Sequence, residues 1–592
     1  MFQPIKGKKM SSKIAKILIF SALALLLLSS VAAAQEWVVT ATGDTDKVNN
    51  SLTSLDNMTL RQAISMAGSG DTIVFANNIS EVNVIYGTLN ISKDLTIGGN
   101  NRVLIKRSSA STTQDLTVFT ITGGNVVLRQ LTIENGNIMN GTGGAVLADG
   151  ANVTFDSCII QRNRADFGGA IYVANESRVN LTSTLIYKNN ATNDGSAIYI
   201  KNGTVTLLNS VIEDNNDKCN VIFVEKGQLT MDQSRFMSNN ATTKGSPVNA
   251  SAGTTIEIRN STFSNNGGFE NAGVLARGTL IVQNSVFDGG KTNGSGGAIS
   301  LRDGGNGIID YSLFTNNTAA EDGGAIFVDA GSSATVKGCT FLNNLAKYGG
   351  AFFGRGTFTI DSCTAVNNTA TFYGGAIAVW NDAKATLTKN AIAGNTAKAN
   401  NTARDPAGGG LNVSRADAVL TNNVIVGNID PREIDFGEEN SSVRSNGNNL
   451  VGVYRGTGRF PIGPSDATGI TMNEVFVIGG SGLPAVTKAT GYTAGYDRVQ
   501  LYTVELNSSP NNPAASILGN QPPVTPAPPT PQPPTENNTP QPEAPADGSD
   551  SAVSSILVII MFIVVAVVLL AVVVVGAFAY LRYRRKKEYK FG

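Results

Sequence analysis

The feature that most constrains this chain is a four-residue phrase that returns in phase. It reads GGAV at Gly143, GGAI at Gly168, GSAI at Gly195, GGAI at Gly296 and Gly323, GGAF at Gly349, GGAI at Gly374 and GGGL at Gly408. Between Gly195 and Gly296 it is degraded, to NVIF from Asn220, GSPV from Gly245 and AGVL from Ala272. The spacing is roughly 23 to 34 residues and mostly about 26, the range of a solenoid repeat. A second phrase keeps the same phase: a small or polar residue, a mostly apolar stretch, then Asn, as in Ser312–Asn317 and Cys339–Asn344. The Asn slot recurs at Asn163, Asn189, Asn215, Asn239, Asn266, Asn317, Asn344, Asn368, Asn395 and Asn428, and the unit at Gly290 lacks it.

One unit, Gly168 to Asn193, predicts three short strands joined by turns. Its apolar stretches have strand length, and no helical face at 3.6 spacing runs through it. Gly, Asn, Asp and Ser punctuate the gaps. Such a unit cannot bury its apolar side chains alone, but stacked copies bury them in a continuous column. The expected fold is therefore all-β, a right-handed parallel β-helix solenoid with successive coils about 4.8 Å apart. The Asn slot reads as a turn residue that tolerates the left-handed backbone region. Its stacked side chains would hydrogen-bond along the axis as a ladder. The Gly pairs suit a tight corner, where positive φ and close backbone approach are needed. No helix follows any pair, which excludes a phosphate-cradling loop.

Composition narrows the chemistry. Lys plus Arg and Asp plus Glu each number 45, so no basic footprint for nucleic acid exists. The chain has no His, which removes the commonest general base and metal ligand. It has four Cys, too scattered for a zinc site. Cys158, Cys339 and Cys363 share a slot with Ser210, Ser261, Ser285 and Ser312. Cys339 and Cys363 fall in adjacent coils, as part of a ladder of small side chains or as a disulfide. Acidic residues scatter singly. The densest groups are Glu321-Asp322, Glu433 with Asp435, and Glu438-Glu439, each read as a solvated turn. No catalytic residue, metal ligand or cofactor site is expected.

The two ends set the address. Residues 1–34 read as a signal peptide: lysines, an apolar run to Leu28, and a cleavage site between Ala34 and Gln35. Residues 35–70 read as an N-terminal cap carrying the helical pattern Thr59–Ala67, with Thr59 or Asn57 as N-cap. Residues 71–452 read as the repeats, with DTIVF from Asp71 as first strand and NGNNLVG from Asn446 as final turn. Residues 453–520 read as a C-terminal cap or small β appendage, with extra strands at VFVI from Val475 and VQLY from Val499. Residues 521–552 are a Pro-rich stalk. Residues 553–581 read as one transmembrane helix, and 582–592 as a basic cytoplasmic tail. The expected location is a plasma membrane or cell surface, single-pass, with the N-terminal domain outside. Asn-x-Ser/Thr sequons, such as Asn57, Asn78, Asn90, Asn140, Asn190, Asn240 and Asn412, mark glycosylation acceptors wherever the machinery exists.

The paired phrases, as in Gly296–Ile299 with Phe314 and Asn317, resemble the passenger repeats of chlamydial polymorphic membrane proteins. The TLRQAI…GDTIVF opening and the NGNNLVG closing resemble secreted proteins of the pectate-lyase-like superfamily. The resemblance spans roughly residues 55 to 455 and implies the β-helix fold and a surface adhesin. The chain departs from the first family by ending in a single apolar helix instead of an outer-membrane barrel. The expected function is adhesion or recognition of cells, matrix or glycans through an extracellular protein or glycan ligand. The alternatives are a polysaccharide-degrading enzyme and a non-catalytic surface coat.

Overall fold

The computed structural model describes residues 34–45, 57–110, 114–215, 218–243, 245–399, 407–456, 460 and 463–471, and the backbone of two strands, Phe476–Ile478 and Pro484–Val486. The expected signal sequence before Ala34, the stalk, the apolar run to Leu581, the basic tail and the VQLY segment lie outside these residues, as does the whole unit Val524–Gly592. Among the described residues no helix is long and apolar enough to cross a membrane.

The chain winds into an all-β parallel solenoid of about 14 turns. The coil after Gly408 holds three strands, whereas most coils hold four, one more than the sequence predicts. In the coil after Gly168 they are Ile171–Ala174, Ser177–Thr182, Leu185–Tyr187 and Asn190–Asp194. The first belongs to a 15-stranded front sheet, the next two to a 30-stranded back sheet, and the last to an edge sheet of three strands. An edge sheet of seven strands continues that corner from Asn240–Ala241 to Thr396–Ala397. The extra strand is the short edge strand after the Asn slot, here Asn190–Asp194, while the two back-sheet strands are divided at the Ser/Cys slot. A left-handed residue precedes that slot, for example Ser157 (φ 57°) before Cys158 and Asn209 (φ 49°) before Ser210.

Alternation within each strand sends one set of side chains inward. In Ser177–Thr182, Val179 and Leu181 are buried while Arg178 and Asn180 are exposed. Exact register stacks like on like: Ile171 on Ile198, Ile198 on Ile222, and Ile299 on Ile326. Five Phe rings, at 236, 263, 287, 314 and 341, stack through the core with centroids 4.8–5.1 Å apart. Burying a Phe side chain contributes about 1.5–3 kcal/mol, so the column is held chiefly by this continuous interior.

Register corrects two phrases of the degraded stretch. Ile222 and Val274 occupy the Ile position of the repeat, so the phrases begin at Cys219 and Asn271, one residue before Asn220 and Ala272. The stacked strand, not the look of the phrase, sets the phase.

The ends also differ from expectation. Strand Glu36–Val39 precedes Asp71–Phe75 and pairs with it in parallel, so Asp71 does not open the first strand. Helix Leu60–Met66 is capped by Thr59, not Asn57, in a full capping box with Gln62. At the other end the pairing runs past 452. Leu450–Val451 pairs with Ala467–Thr468, and Phe436–Gly437 with Tyr454–Arg455. Phe476–Ile478, within the expected VFVI strand, pairs antiparallel with Pro484–Val486.

Candidate functional site on the front sheet

The repeat residues build the corners. The first Gly of each pair has positive φ: 68° at Gly143, 65° at Gly168, 66° at Gly195, 78° at Gly296, 64° at Gly323, 60° at Gly349, 63° at Gly374 and 59° at Gly408. At Gly323 a Cβ would also stand 2.2 Å from the Ile326 carbonyl oxygen. These glycines turn the chain from edge sheet to front sheet.

The Asn slot lies at the corner between back sheet and edge sheet, buried throughout. Asn344 Oδ1 accepts from the Asn317 backbone N–H and from Asn317 Nδ2, both at 3.0 Å. Its own Nδ2 donates to the Phe314 carbonyl and to Asn368 Oδ1, both at 2.9 Å. The same pattern links Asn163, Asn189, Asn215, Asn239 and Asn266, and then links Asn317 through Asn368 and Asn395 to Asn428. The left-handed residue is not the ladder Asn but the one before it, such as Asn316 (φ 56°), Asn343 (φ 56°) and Asn367 (φ 55°). At Gly290 a Cβ would meet the Gly297 carbonyl oxygen at 2.2 Å, which closes that rung to Asn.

A second ladder runs through the Ser/Cys slot. It passes through Thr184 and Ser234, and its C-terminal rungs are Asn390, Asn423 and Asn449, none of which the sequence reading placed there. The cysteines are buried thiols with no disulfide, and the Cys339 N–H points to Cys363 Sγ at 3.3 Å. Burial pushes Cys158 up to about 11 and Cys363 well above the ordinary thiol range.

Both ladders end on a carboxylate. Asp435 Oδ1 accepts from Asn428 N and Nδ2 at 2.6 and 3.0 Å, and Asp466 Oδ1 accepts from Asn449 N at 2.6 Å. Asp435 and Glu438 are therefore not solvated turn residues; both are buried. Of the expected cleavage pair, Gln35 donates its backbone N–H to Asp71 Oδ1 at 2.8 Å, and Ala34 lies just before that strand.

A different constellation stands on the outer side of the front sheet. Phe327 and Phe353 point away from the core yet are almost fully buried, with rings stacked at 5.9 Å. The Arg302 and Arg355 guanidinium groups lie 5.1 and 5.4 Å from the Phe327 ring. The next residue in the row is Ala378, and Trp380, two residues on, packs with its indole 5.9 Å from Phe353.

The corner supplies the rest. The residue before each positive-φ Gly stacks on its counterpart in the next coil, as Asp322 pairs with Tyr348. Tyr348 lies 4.8 Å from Trp380, 5.2 Å from Phe372 and 5.8 Å from Tyr373. Tyr348, Phe372, Tyr373 and Trp380 are half-buried, so they form an aromatic surface open to solvent. Lys347 lies 5.8 Å from the Tyr348 ring and pairs with Glu321 at 3.3 Å; Arg415 lies 5.9 Å from Trp380.

Asp322, read from sequence as part of a solvated turn, sits within this cluster. Burial pushes its carboxyl up to about 6, against the pull of Arg355, Lys347 and Arg302. Among the described residues no hydrogen bond reaches its carboxylate.

A related constellation stands earlier on the same sheet. Tyr172 and Tyr199 stack at 5.2 Å, Phe223 lies 5.3 Å from Tyr199, and Phe167 meets Tyr199 edge-on at 5.2 Å. Asp194 occupies the slot of Asp322, and burial pushes it up to about 6 as well, while Asn220 Nδ2 and the Gly195 N–H donate to it. Neither cluster was singled out in the sequence. The available signal was the aromatic after GGAI, and the residue before the first Gly, read coil against coil.

The parallel coils and their corner geometry match a known pattern. A family model described as the right-handed β-helix region matches residues 62–236 and 219–392, more than half of the chain. The chain belongs to the right-handed β-helix family. No curated protein matches it. Within this right-handed β-helix, the described residues hold no group of three or more His, Cys, Asp or Glu able to bind a metal ion. What the aromatic clusters offer chemically is flat apolar contact beside carboxylate acceptors and arginine or lysine donors.

Proposed function

We propose that this protein is a membrane-anchored surface protein that displays its β-helix outward for adhesion or recognition of cells, matrix or glycans. The observation that carries this reading is the half-buried cluster Tyr348, Phe372, Tyr373 and Trp380, set outside the core with Asp322 beside it. Aromatic rings outside the core, mixed with a few polar groups, are the usual composition of a binding surface. The leader ending at Ala34, the Pro-rich stalk and the apolar run before Arg582 support outward display.

The test has two arms. External protease on intact cells is expected to remove the repeat domain and leave the basic tail protected. Full-length protein on the cell surface is expected to bind target cells or matrix, and Tyr348→Ala with Trp380→Ala to weaken that binding on the order of tenfold or more. A protected repeat domain, or binding unchanged by both substitutions, would sink the reading.

A second reading, polysaccharide cleavage, draws on Asp322 and Asp194, both pushed up to about 6. Glycoside hydrolysis ordinarily uses a carboxyl pair across the scissile bond. Glu321, the carboxylate next to Asp322, is engaged by Lys347. The recognition reading is therefore the better supported.

A further inference from the structure

We propose that removal of residues 1–34 creates an α-ammonium at Gln35 that pairs with the inward-facing carboxylate of Asp71 and locks the first coil. This rests on the outward-display reading above, which takes residues 1–34 as a leader, and goes beyond it by assigning the receptor of the new N-terminus.

One core row breaks its own pattern. Strand Asp71–Phe75 buries Asp71 on the same side as Ile73 and Phe75. In register, Asp71 stacks on Leu95, Leu95 on Val126, Val126 on Val153 and Val153 on Val179. A carboxylate thus stands at the head of an apolar row. Such a group is costly unless donors and an opposite charge answer it.

The donors are present. Oδ1 accepts from the Gln35 N–H at 2.8 Å, and Oδ2 from the Trp37 indole at 2.9 Å and the Gly68 N–H at 2.7 Å. The opposite charge is not. Lys93 donates to the Ala67 carbonyl and acts on Asp71 only through space. Arg61, on the neighbouring helix, is paired with Asp44 at 2.7 Å. Asp94 accepts from the Asn125 N–H, and Glu36 is exposed; both are acidic and supply no counter-charge.

Cleavage supplies that charge at an atom already in place. Ala32, Ala33 and Ala34 are the small residues that a leader peptidase takes before its scissile bond. Water adds across the Ala34–Gln35 amide. The Ala34 carbonyl carbon takes the oxygen and leaves as a carboxylate on the released segment. The Gln35 nitrogen keeps the bonding pair and takes both protons, becoming an ammonium beside Asp71 Oδ1. A charge-assisted hydrogen bond there is roughly twice as strong as the neutral one it replaces.

The same residue anchors the end of the column. The Gln35 carbonyl accepts from the Thr72 N–H at 2.9 Å, and Glu36–Val39 pairs along Thr72–Phe75. This strand buries Val39 and packs Trp37 on the core, so fixing its start closes the N-terminal coil. An N-terminal Gln also cyclises when its neutral amine attacks its own side-chain amide and expels ammonia. Holding the amine protonated on Asp71 suppresses that attack.

The experiment uses the full chain, expressed with its leader and purified from membranes in detergent. Mass spectrometry reads the N-terminus, and hydrogen exchange at the Thr72 N–H reads the lock. The comparison protein carries one Val inserted between Ala34 and Gln35, which moves the charge one residue away and leaves every folded residue unchanged. The native chain is expected to begin at Gln35 with a free amine. Its Thr72 N–H should exchange about three- to tenfold more slowly at pH 7 than in the insertion variant. An α-amine ordinarily titrates near 8, and Asp71 raises that value in the folded state. The lock is therefore present below about pH 8 and fades as pH rises further, so the two proteins should converge by about pH 10. Asp71→Asn should remove most of the difference at pH 7 and let Gln35 cyclise, seen as the loss of one ammonia. A chain that begins elsewhere, a cyclised Gln35 in the native protein, or equal Thr72 exchange in the native and insertion proteins overturns the proposal. If residues 1–34 remain on the purified chain, the leader falls as well, and the display reading with it. If they are removed and external protease still takes off the repeat domain, that reading stands without the lock.

Discussion

Replacing Asn344 by Leu tests the ladder as a source of stability. Asn344 is 1% exposed and makes four side-chain hydrogen bonds. Leu has a similar volume and none of them. The Asn317 backbone N–H and the Phe314 carbonyl lose their side-chain partner outright. Asn317 Nδ2 keeps the Phe287 carbonyl, and Asn368 Oδ1 keeps the Asn344 backbone N–H. The Phe314 carbonyl keeps its place in the ladder between Leu313–Thr315 and Thr340–Leu342, so one buried backbone group, the Asn317 N–H, is left unpaired at about 1–3 kcal/mol, and the two lost side-chain bonds to Asn317 Nδ2 and Asn368 Oδ1 add about 0.5–1.5 kcal/mol each. A buried Leu returns about 1.5–3 kcal/mol of apolar transfer. The net loss is on the order of 1–3 kcal/mol. In a solenoid each coil contacts only its neighbours, so the damage is local. Urea unfolding followed by circular dichroism should show a lower midpoint, and hydrogen exchange should show faster exchange at Asn317. An unchanged midpoint together with full protection at Asn317 would refute the reasoning.

Four further outcomes are expected. Asp194 and Asp322 are both pushed up to about 6, so the folded state holds protons that the unfolded chain has lost, and stability rises as pH falls from about 7 towards 5. Melting temperature should follow that trend and lose much of it in the Asp194→Asn, Asp322→Asn double variant. Asp71 is held below the ordinary carboxylate range by the Gln35 N–H, the Trp37 indole and the Gly68 N–H, so its contribution is lost as pH drops below about 4. Gly323→Ala should cost at least about 1–3 kcal/mol, because φ of 64° and a carbonyl 2.2 Å from the new Cβ both oppose it; a chemical melt with an unshifted midpoint would contradict this. Cys158, Cys339 and Cys363 should resist thiol reagents in the native protein and react on unfolding, since all three are buried.

Periodicity made the β-helix legible without coordinates. Two phrases at one period fit only units that stack, and the Gly and Asn slots reported the corners. What repeats is visible because every coil must satisfy the same backbone geometry. The acidic residues were misread for the complementary reason. Asp435 and Glu438 fall in short acidic groups that look like solvated turns, and only the final coils show that Asp435 receives the end of a ladder and that Glu438 accepts from the Ser441 N–H.

The amino-acid order by itself determined the parallel coil, its approximate phase, the inward residues and the ladder slots. It also carries the N-terminal stretch read as a leader and the apolar run before Arg582. The tertiary structure decided which residue of each turn takes the left-handed backbone, where the phase slips at Cys219 and Asn271, and how far the column extends at each end. It alone assembled the aromatic clusters. Tyr348 and Tyr373 come from one corner slot, Trp380 comes from the front sheet, and Ala378 is the small residue in the outward row beside it. Each is a departure from the repeat, and such departures become one surface only when stacking at strand spacing brings residues about 26 positions apart into contact.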